Sequence, residues 1–156
     1  MKAAVRRRDF DYTVHSLKVL TPDANAMLLA MIDVEAAELG DAKAAEYWLQ
    51  RQQGGFLKPP FDVRSETVTN NTTHILATSA GFLQDFLFGF SGLRITETGL
   101  EQRYGPILPE SVGSLELRNI KFRGDRTDYL ITRGRDGTTT LTRRRPRRIA
   151  GSAHGL

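Results

Sequence analysis

Residues 54–94 read GGFLKPPFDVRSETVTNNTTHILATSAGFLQDFLFGFSGLR, and the character of the chain changes within this stretch. Its first half is polar, rich in proline, threonine and asparagine, and carries one glutamate, Glu66. A nearly continuous apolar run follows, whose spacing predicts a helix over residues 72–90. A carboxylate on a polar loop beside a buried helix is suited to proton-transfer chemistry.

The predicted helix over residues 72–90 is apolar on almost every side, so we expect it to be buried. Its main stripe and the leucines that widen it are Ile75, Ser79, Phe82, Phe86 and Phe90, with Leu76, Leu83 and Leu87. Small residues over 77–81 allow a neighbouring helix to approach closely. Because a short chain has little apolar surface to cover such a helix, we expect further helices to pack on it from elsewhere.

Two shorter helices are predicted ahead of this stretch. Thr21-Pro22-Asp23 has the composition of a helix start, and the first helix continues to Gly40. Its expected apolar face consists of Met27, Leu28, Met31, Val34 and Leu39. Asp41 is a candidate cap for a second helix, which runs to the glycines at 54–55 and carries Trp48 as an expected core residue. The short junction predicts an antiparallel hairpin.

Short strands replace the helical pattern after Gly92. We expect strands at 93–95, 115–120, 129–132 and 138–142, with a hairpin turn at Asp136-Gly137. The predicted fold class is mainly α with a small antiparallel C-terminal β-sheet. The predicted division is an N-terminal segment without clear periodicity (1–20), a helical part (21–92), a small β domain (93–142) and a basic tail (143–156).

Composition sets limits on function. The chain has 156 residues, 40% of them hydrophobic and 26% charged, a net charge of +4, and no cysteine. The lack of cysteine excludes disulfides and thiolate metal sites. No apolar run reaches the length of a membrane span, and no signal peptide is recognisable, so a cytoplasmic location is expected. The run RRRPRR lacks interleaved aromatic residues and is interpreted as a solvated tail; neither a nucleic-acid nor a membrane partner is expected.

Two motifs in the opening stretch resemble glycoside hydrolase family 65, which contains acid trehalases, related α-glucosidases, and maltose, trehalose and kojibiose phosphorylases. The first is PFDVRSE over residues 60–66, and the second is GFLQDFLFGFSGLRI over residues 81–95. Both match the family in order and spacing, except that Arg64 stands where an aromatic residue is expected. The resemblance extends over about residues 12–142.

This resemblance implies a fold and a position within it. Family members have an N-terminal β-sandwich, a twelve-helix (α/α)6 barrel and a small C-terminal sheet. The chain is too short for all three, so we expect it to hold only the last barrel helices and the sheet. The resemblance therefore implies a C-terminal fragment, with the upstream part of the barrel as a partner in the same chain or in another.

The resemblance also implies a role for Glu66. Inverting glycosidases use one carboxylic acid and one carboxylate base, roughly 6.5–9.5 Å apart. Glu66 coincides with the family's general base, whereas no residue matches its general acid. The expected activity is hydrolysis of α-glucosidic disaccharides such as trehalose or kojibiose. The alternatives are a phosphorylase fragment, a non-catalytic remnant or partner subunit, and, for Glu66 itself, an exposed loop glutamate.

Several polar residues around Glu66 are candidate carbohydrate ligands: Lys58, Arg64, Asn71, Thr72 and His74. Asn70 and Thr73 are in the same loop. For the asparagine and threonine residues, capping and turn formation is the alternative interpretation; for Lys58 and Arg64 it is solvated loop charge. The three histidines are too far apart in sequence to indicate a metal site, and no phosphate-binding glycine loop is present, so no cofactor is predicted.

Overall fold

A computed structural model describes residues 3–20, 24–70 and 72–146, with side chains of the first helix described up to residue 17. The helices are α1 (Ala3–Leu20), α2 (Ala26–Glu38), α3 (Ala42–Arg51) and α4 (Leu76–Gln84), and α4 continues into a π-helical segment (Asp85–Phe90). The strands are β1 (Leu57–Lys58), β2 (Val63–Arg64), β3 (Leu93–Ile95), β4 (Leu100–Gln102), β5 (Ser114–Phe122), β6 (Asp125–Arg133) and β7 (Thr139–Arg144). The predicted change from helices to short antiparallel strands is confirmed. That the helices belong to an (α/α)6 barrel stays a prediction.

Helix α1 was not predicted from the sequence, since residues 1–20 were interpreted as a segment without clear periodicity. Phe10, Val14 and Leu17 recur at spacings of four and three residues and pack against the core. This is one face of a helix. It was missed because the arginines at 6–8 and the aspartates at 9 and 11 lower the mean hydropathy of the segment. The predicted helix start at Thr21-Pro22-Asp23 lies outside the described residues.

Helices α2 and α3 form the predicted antiparallel hairpin. Asn25 caps α2 and Asp41 caps α3, each accepting a hydrogen bond from a backbone N–H of the first turn. Trp48 lies in the core, as predicted. The predicted face of α2 was wrong for Met27, Leu28 and Met31, which are exposed, and was confirmed for Val34 and Leu39, which are buried or packed against the core. The buried side is instead largely alanine: Ala26, Leu29, Ala30, Ile32, Asp33, Val34, Ala36 and Ala37.

Alanine faces inward on α2 because another helix lies close against it. A Cβ atom added to Gly81 of α4 would stand 3.0 Å from the Cβ of Ala30. Such a spacing leaves no room for larger side chains at this crossing. Met27 borders the same crossing, since its Cγ atom would stand 3.7 Å from that added Cβ atom, whereas the side chain of Met31 is exposed.

Helix α4 begins at Leu76, four residues later than predicted. The aromatic stripe is confirmed. The rings of Phe82 and Phe86 meet edge to face with 5.0 Å between their centroids, and those of Phe86 and Phe90 do so with 5.6 Å. The expected burial on every side was wrong for Leu76 and Leu83, whose exposed fractions are 82% and 65%. Nothing among the described residues covers them.

The C-terminal strands form a β3–β4 hairpin and a β5–β6–β7 meander. The pairing of β5 with β6 is interrupted by an irregularity between Leu117 and Ile120. Arg133 of β6 donates hydrogen bonds to the carbonyls of residues 108–110, and Glu46 of α3 accepts one from the N–H of Glu110. These bonds connect the meander to the helical hairpin. Whether residue 92 divides two domains stays a prediction.

A cluster of four residues also joins helix α1 to the β3–β4 hairpin. Glu38, at the end of α2, pairs with Arg6 of α1 and with Arg94 of β3. Both guanidinium groups lie over the ring of Tyr104, at 4.8 and 4.7 Å from its centroid. Cation–π contacts of this kind are worth about 0.5–1 kcal/mol each at partly exposed positions. We refer to these four residues as the Tyr104 cluster.

Candidate active-site loop

The loop that carries Glu66 is fixed at its start by Ser65. The Ser65 backbone N–H donates to the carbonyl of Phe56 at 2.9 Å, and its buried hydroxyl is 3.1 Å from that carbonyl and 2.7 Å from the carbonyl of Thr67. Ser65 also forms a β-bridge with Thr73. Residues 65–75, called the site loop below, therefore leave and return at one place.

Glu66 is half-buried, and both its backbone and its side chain are held. Its N–H donates to the carbonyl of Thr72 at 3.2 Å, and its carbonyl accepts from the N–H of Ala26 at 3.0 Å. The side-chain amide of Asn25 donates to Glu66 Oε1 at 3.1 Å, while Asn25 Oδ1 accepts from the N–H of Met27. One residue thus caps α2 and orients the carboxylate.

The structure places the other predicted site residues in different surroundings. Lys58 donates to the carbonyl of Val68 at 2.6 Å and so braces the site loop from β1. The backbone N–H of Thr72 donates to Oδ1 of Asn70, in the manner expected for loop formation. Thr72 and His74 are both exposed, and His74 adopts a left-handed backbone conformation with φ of 61°. Asn71 lies outside the described residues.

Arg64 points inward rather than into solvent. Its exposed fraction is 9%, its guanidinium carbon is 4.0 Å from the centre of the Phe82 ring, and its Nη1 donates to the carbonyl of Gln52 at 3.1 Å. Burial lowers the pKa of Arg64, while the nearby carboxyl of Asp85 acts in the opposite direction. The interpretation as a solvated loop charge was wrong. A role in sugar binding stays a prediction.

Two buried carboxyl groups were not foreseen from the sequence. Asp33 of α2 and Asp85 of the π-helical segment are both fully buried, and each carboxyl group acts on the pKa of the other. Burial raises the pKa of both, to about 9 for Asp33, and the amide of Gln52 and the charge of Arg64 oppose the rise at Asp85. We call Asp33, Gln52, Arg64 and Asp85 the buried carboxyl cluster. An aspartate inside an apolar helix, as in FLQDFLF, was the available signal.

No metal site is formed by the described parts of the chain. Across residues 3–20, 24–70 and 72–146, no three histidine or acidic side chains come close enough together to bind one ion. None of the helices in these ranges is long and apolar enough to span a membrane. A cavity of about 380 Å³ borders the site loop at Val68 and Thr69, but the Glu66 side chain does not form part of its wall.

The chain is similar in sequence to known glucosidases. It is 32% identical over 133 residues to protein-glucosylgalactosylhydroxylysine glucosidase of Danio rerio and 31% identical over 124 residues to that of Dictyostelium discoideum. It is 28% identical over 113 residues to kojibiose hydrolase of Flavobacterium johnsoniae. These matches cover 85%, 80% and 72% of the chain. They support a relationship to glycoside hydrolase family 65.

The matches cover only a small share of each relative. The aligned regions are 19%, 17% and 16% of the lengths of these three proteins, so the chain spans about a fifth of its relatives or less. No family model matches the chain. The similarity thus supports the family relationship anticipated from the motifs at residues 60–66 and 81–95, whereas the role of each residue is a separate question.

Proposed function

We propose that the chain is part of an inverting glycoside hydrolase that releases glucose from α-glucosyl linkages, with Glu66 as its general base. The observation that carries this proposal is the fixed Glu66 carboxylate, whose Oε1 accepts from Asn25 while the backbone of Glu66 is tied to two different segments. A base has to be held within hydrogen-bonding reach of the proton that it removes. The Glu66 carboxylate is held in one orientation, as a general base requires.

In the proposed reaction Glu66 removes a proton from a water molecule. The water oxygen forms a bond to the anomeric carbon as the glycosidic bond breaks, and the departing oxygen takes its proton from a general acid. We assign no residue of this chain to the acid. We propose that the upstream part of a barrel, from the same polypeptide or from another, supplies the acid and most of the sugar-binding surface.

The relatives suggest which substrates to test. Their names describe a glucosidase of glucosylgalactosyl hydroxylysine and a hydrolase of kojibiose, which favours hydrolysis over phosphorolysis. Kojibiose, trehalose and a glucosylgalactose disaccharide are therefore suitable first substrates. Lys58, Thr72 and His74 lie on β1 or the site loop and are the residues we propose for sugar contacts there. Asn71 is a further candidate from the same loop.

The test is the substitution Glu66→Gln in the full-length polypeptide. Glutamine keeps the shape and the contact with Asn25 but cannot accept a proton, so kcat should fall by about 10²–10⁴-fold with little change in KM. In Glu66→Ala, added azide should restore turnover and yield a glycosyl azide of inverted configuration, because an anionic nucleophile needs no base.

Asp62→Asn is the matched control, since Asp62 is exposed in the turn before β2 and asparagine tolerates its left-handed conformation. Its kcat should equal that of the unsubstituted enzyme. Turnover that requires phosphate and survives Glu66→Gln would favour a phosphorylase. Hydrolysis unaffected by Glu66→Gln would refute the assignment of the base. A polypeptide that binds these sugars without cleaving them would indicate a non-catalytic subunit.

A further inference from the structure

The buried carboxyl cluster joins four separate elements, one of which is the strand that leads into the site loop. Asp33 belongs to α2, Gln52 caps the end of α3, Arg64 belongs to β2, and Asp85 opens the π-helical segment. Asp33, Gln52 and Asp85 have no exposed surface. Polar groups at such positions are costly unless they are paired with one another. Their arrangement therefore requires a physical reason.

The hydrogen bonds in the cluster form a chain. Arg64 donates to the carbonyl of Gln52, and the Gln52 amide donates to Oδ2 of Asp85 at 2.5 Å. As ionised groups, both oxygens of Asp33 and Oδ1 of Asp85 would lack any donor among the described residues. Two adjacent buried carboxylates cannot both ionise without strong repulsion. One proton placed between them removes the repulsion and supplies the donor for a hydrogen bond that joins the two carboxyl groups.

The surroundings indicate which residue holds that proton. Asp85 receives the Gln52 amide and lies near the positive charge of Arg64, both of which favour its ionised form. Asp33 has neither, and its partner is Asp85 itself. In this arrangement a protonated, neutral Asp33 donates to an ionised Asp85. The positive charge of Arg64 then balances the negative charge of Asp85.

We propose that Asp33 and Asp85 share one proton and that this pair, through Gln52 and Arg64, anchors β2 and positions the site loop. Arg64 precedes Glu66 by two residues, and Ser65 between them is bonded to the carbonyl of Phe56. The cluster thus holds the strand from which the loop departs. Its role as a positioning network rests on the proposed function of Glu66, whereas its role in anchoring the loop does not.

The shared proton has a consequence for stability. The pKa of the Asp33 carboxyl, which holds the shared proton, is raised from 3.8 to about 9 in the folded protein, so the folded state binds one proton more than the unfolded state above about pH 4. The contribution of this proton is fully present below that pH. It is lost as the pH rises through about 9. Arg64 is the charged side chain that faces the pair, and Gln52 faces it as a neutral group.

The first experiment measures urea unfolding of the full-length polypeptide from pH 5 to pH 9.5. Asp33→Asn keeps an N–H donor toward Asp85 but cannot titrate, so it should flatten the pH dependence. The difference from the unsubstituted protein should approach a tenfold change in the unfolding equilibrium constant per pH unit for each proton. Asp62→Asn, which alters an exposed carboxylate, should leave the dependence unchanged.

Two outcomes would overturn the shared proton. One is a pH dependence that Asp33→Asn does not alter. The other is stabilisation of the unsubstituted protein by added Ca²⁺ or Na⁺, abolished in Asp33→Asn, since that would identify the pair and the free oxygen of Gln52 as ligands of a cation. Urea unfolding measured with each salt added after treatment with a chelator distinguishes these two outcomes.

The second experiment tests positioning through Arg64→Met, which keeps apolar contact with Phe82 but loses the charge and the bond to Gln52. Amide hydrogen exchange over residues 65–70 should become at least tenfold faster, and kcat should fall about tenfold with KM nearly unchanged. Arg64→Lys, which restores the charge, should recover part of both. If the unsubstituted protein shows no hydrolysis, the exchange measurement still tests the anchor. Unchanged exchange in Arg64→Met would refute it.

Discussion

Asn25 shows how one side chain can serve folding and chemistry together. Its carbonyl oxygen caps α2, and its amide nitrogen orients the carboxylate of Glu66. Cap residues of this kind are worth about 0.5–2 kcal/mol relative to alanine. The residue that begins the helix therefore also fixes the distance between the helix and the site loop.

Substitutions at Asn25 should separate these two functions. Asn25→Ser keeps a capping oxygen but loses the amide donor, so the unfolding free energy should change little while kcat falls severalfold. Asn25→Ala should lose both, with about 1 kcal/mol of stability. Urea denaturation and steady-state kinetics on the same samples check this. Equal kinetic effects without any change in stability would argue against a cap at this position.

At the scale of single residues, the sequence was informative where a residue type has few structural roles. The prolines and asparagines around Glu66 predict its position on a loop, while its role as a base is implied by the resemblance. The burial of Asp33 and Arg64 was not predicted, because a charged residue is ordinarily assigned to the surface. Only its partners, which come from distant parts of the chain, make burial possible. Those partners have no signature in the local sequence.

At the scale of elements, the helical part of the chain meets the β3–β4 hairpin at Gly92. Gly92 has φ of 70°, and a Cβ atom there would stand 2.3 Å from the carbonyl oxygen of Tyr104. The N–H groups of Arg103 and Tyr104 both bond to the Gly92 carbonyl. The backbone after the π-helical segment can therefore turn into β3 only if this residue lacks a side chain.

Gly92→Ala should destabilise the protein by more than about 1 kcal/mol, because it combines an unfavourable φ with a backbone clash. Gly105→Ala is the matched control, since a Cβ atom there meets nothing within 4 Å. Thermal unfolding of both variants distinguishes them. Equal melting temperatures for the two would contradict the close approach to Tyr104.

Element types were predicted better than element faces. Four of the strands after Gly92 and the hairpin of α2 and α3 follow from turn residues and periodicity, whereas the short strand β4 was not predicted. The face of α2 did not, because both sides of AMLLAMIDVEAAE are apolar. The approach of Gly81 to Ala30 shows which residue of α2 lies at the centre of the helix crossing, and Met27 borders it.

At the scale of the whole molecule, helices α2 and α4 each carry exposed apolar side chains on one face. Leu76 and Leu83 are seven residues apart and share one face of α4, while Met27 and Met31 share one face of α2. Contiguous exposed apolar surface is ordinarily a contact surface. We expect the 156-residue chain on its own to self-associate through these faces.

The double substitution Leu76→Ser and Leu83→Ser should shift the isolated chain toward a monomer in sedimentation velocity measurements across a range of concentrations. Tyr12→Gln, which alters an exposed aromatic residue on α1, should not. Because neither leucine is buried, melting temperatures extrapolated to low concentration should stay close to that of the unsubstituted chain. A chain that sediments as a monomer at every concentration before substitution would contradict the prediction.

The Tyr104 cluster constrains the order in which the chain can fold. Its members are residues 6, 38, 94 and 104, so the first helix reaches its full set of contacts only after the β3–β4 hairpin exists. During synthesis α1 leaves the ribosome nearly 100 residues ahead of its last partner. At about 5–20 residues per second this corresponds to a wait of roughly 5–20 seconds. Helix α1 is therefore exposed to chaperones and proteases over that interval.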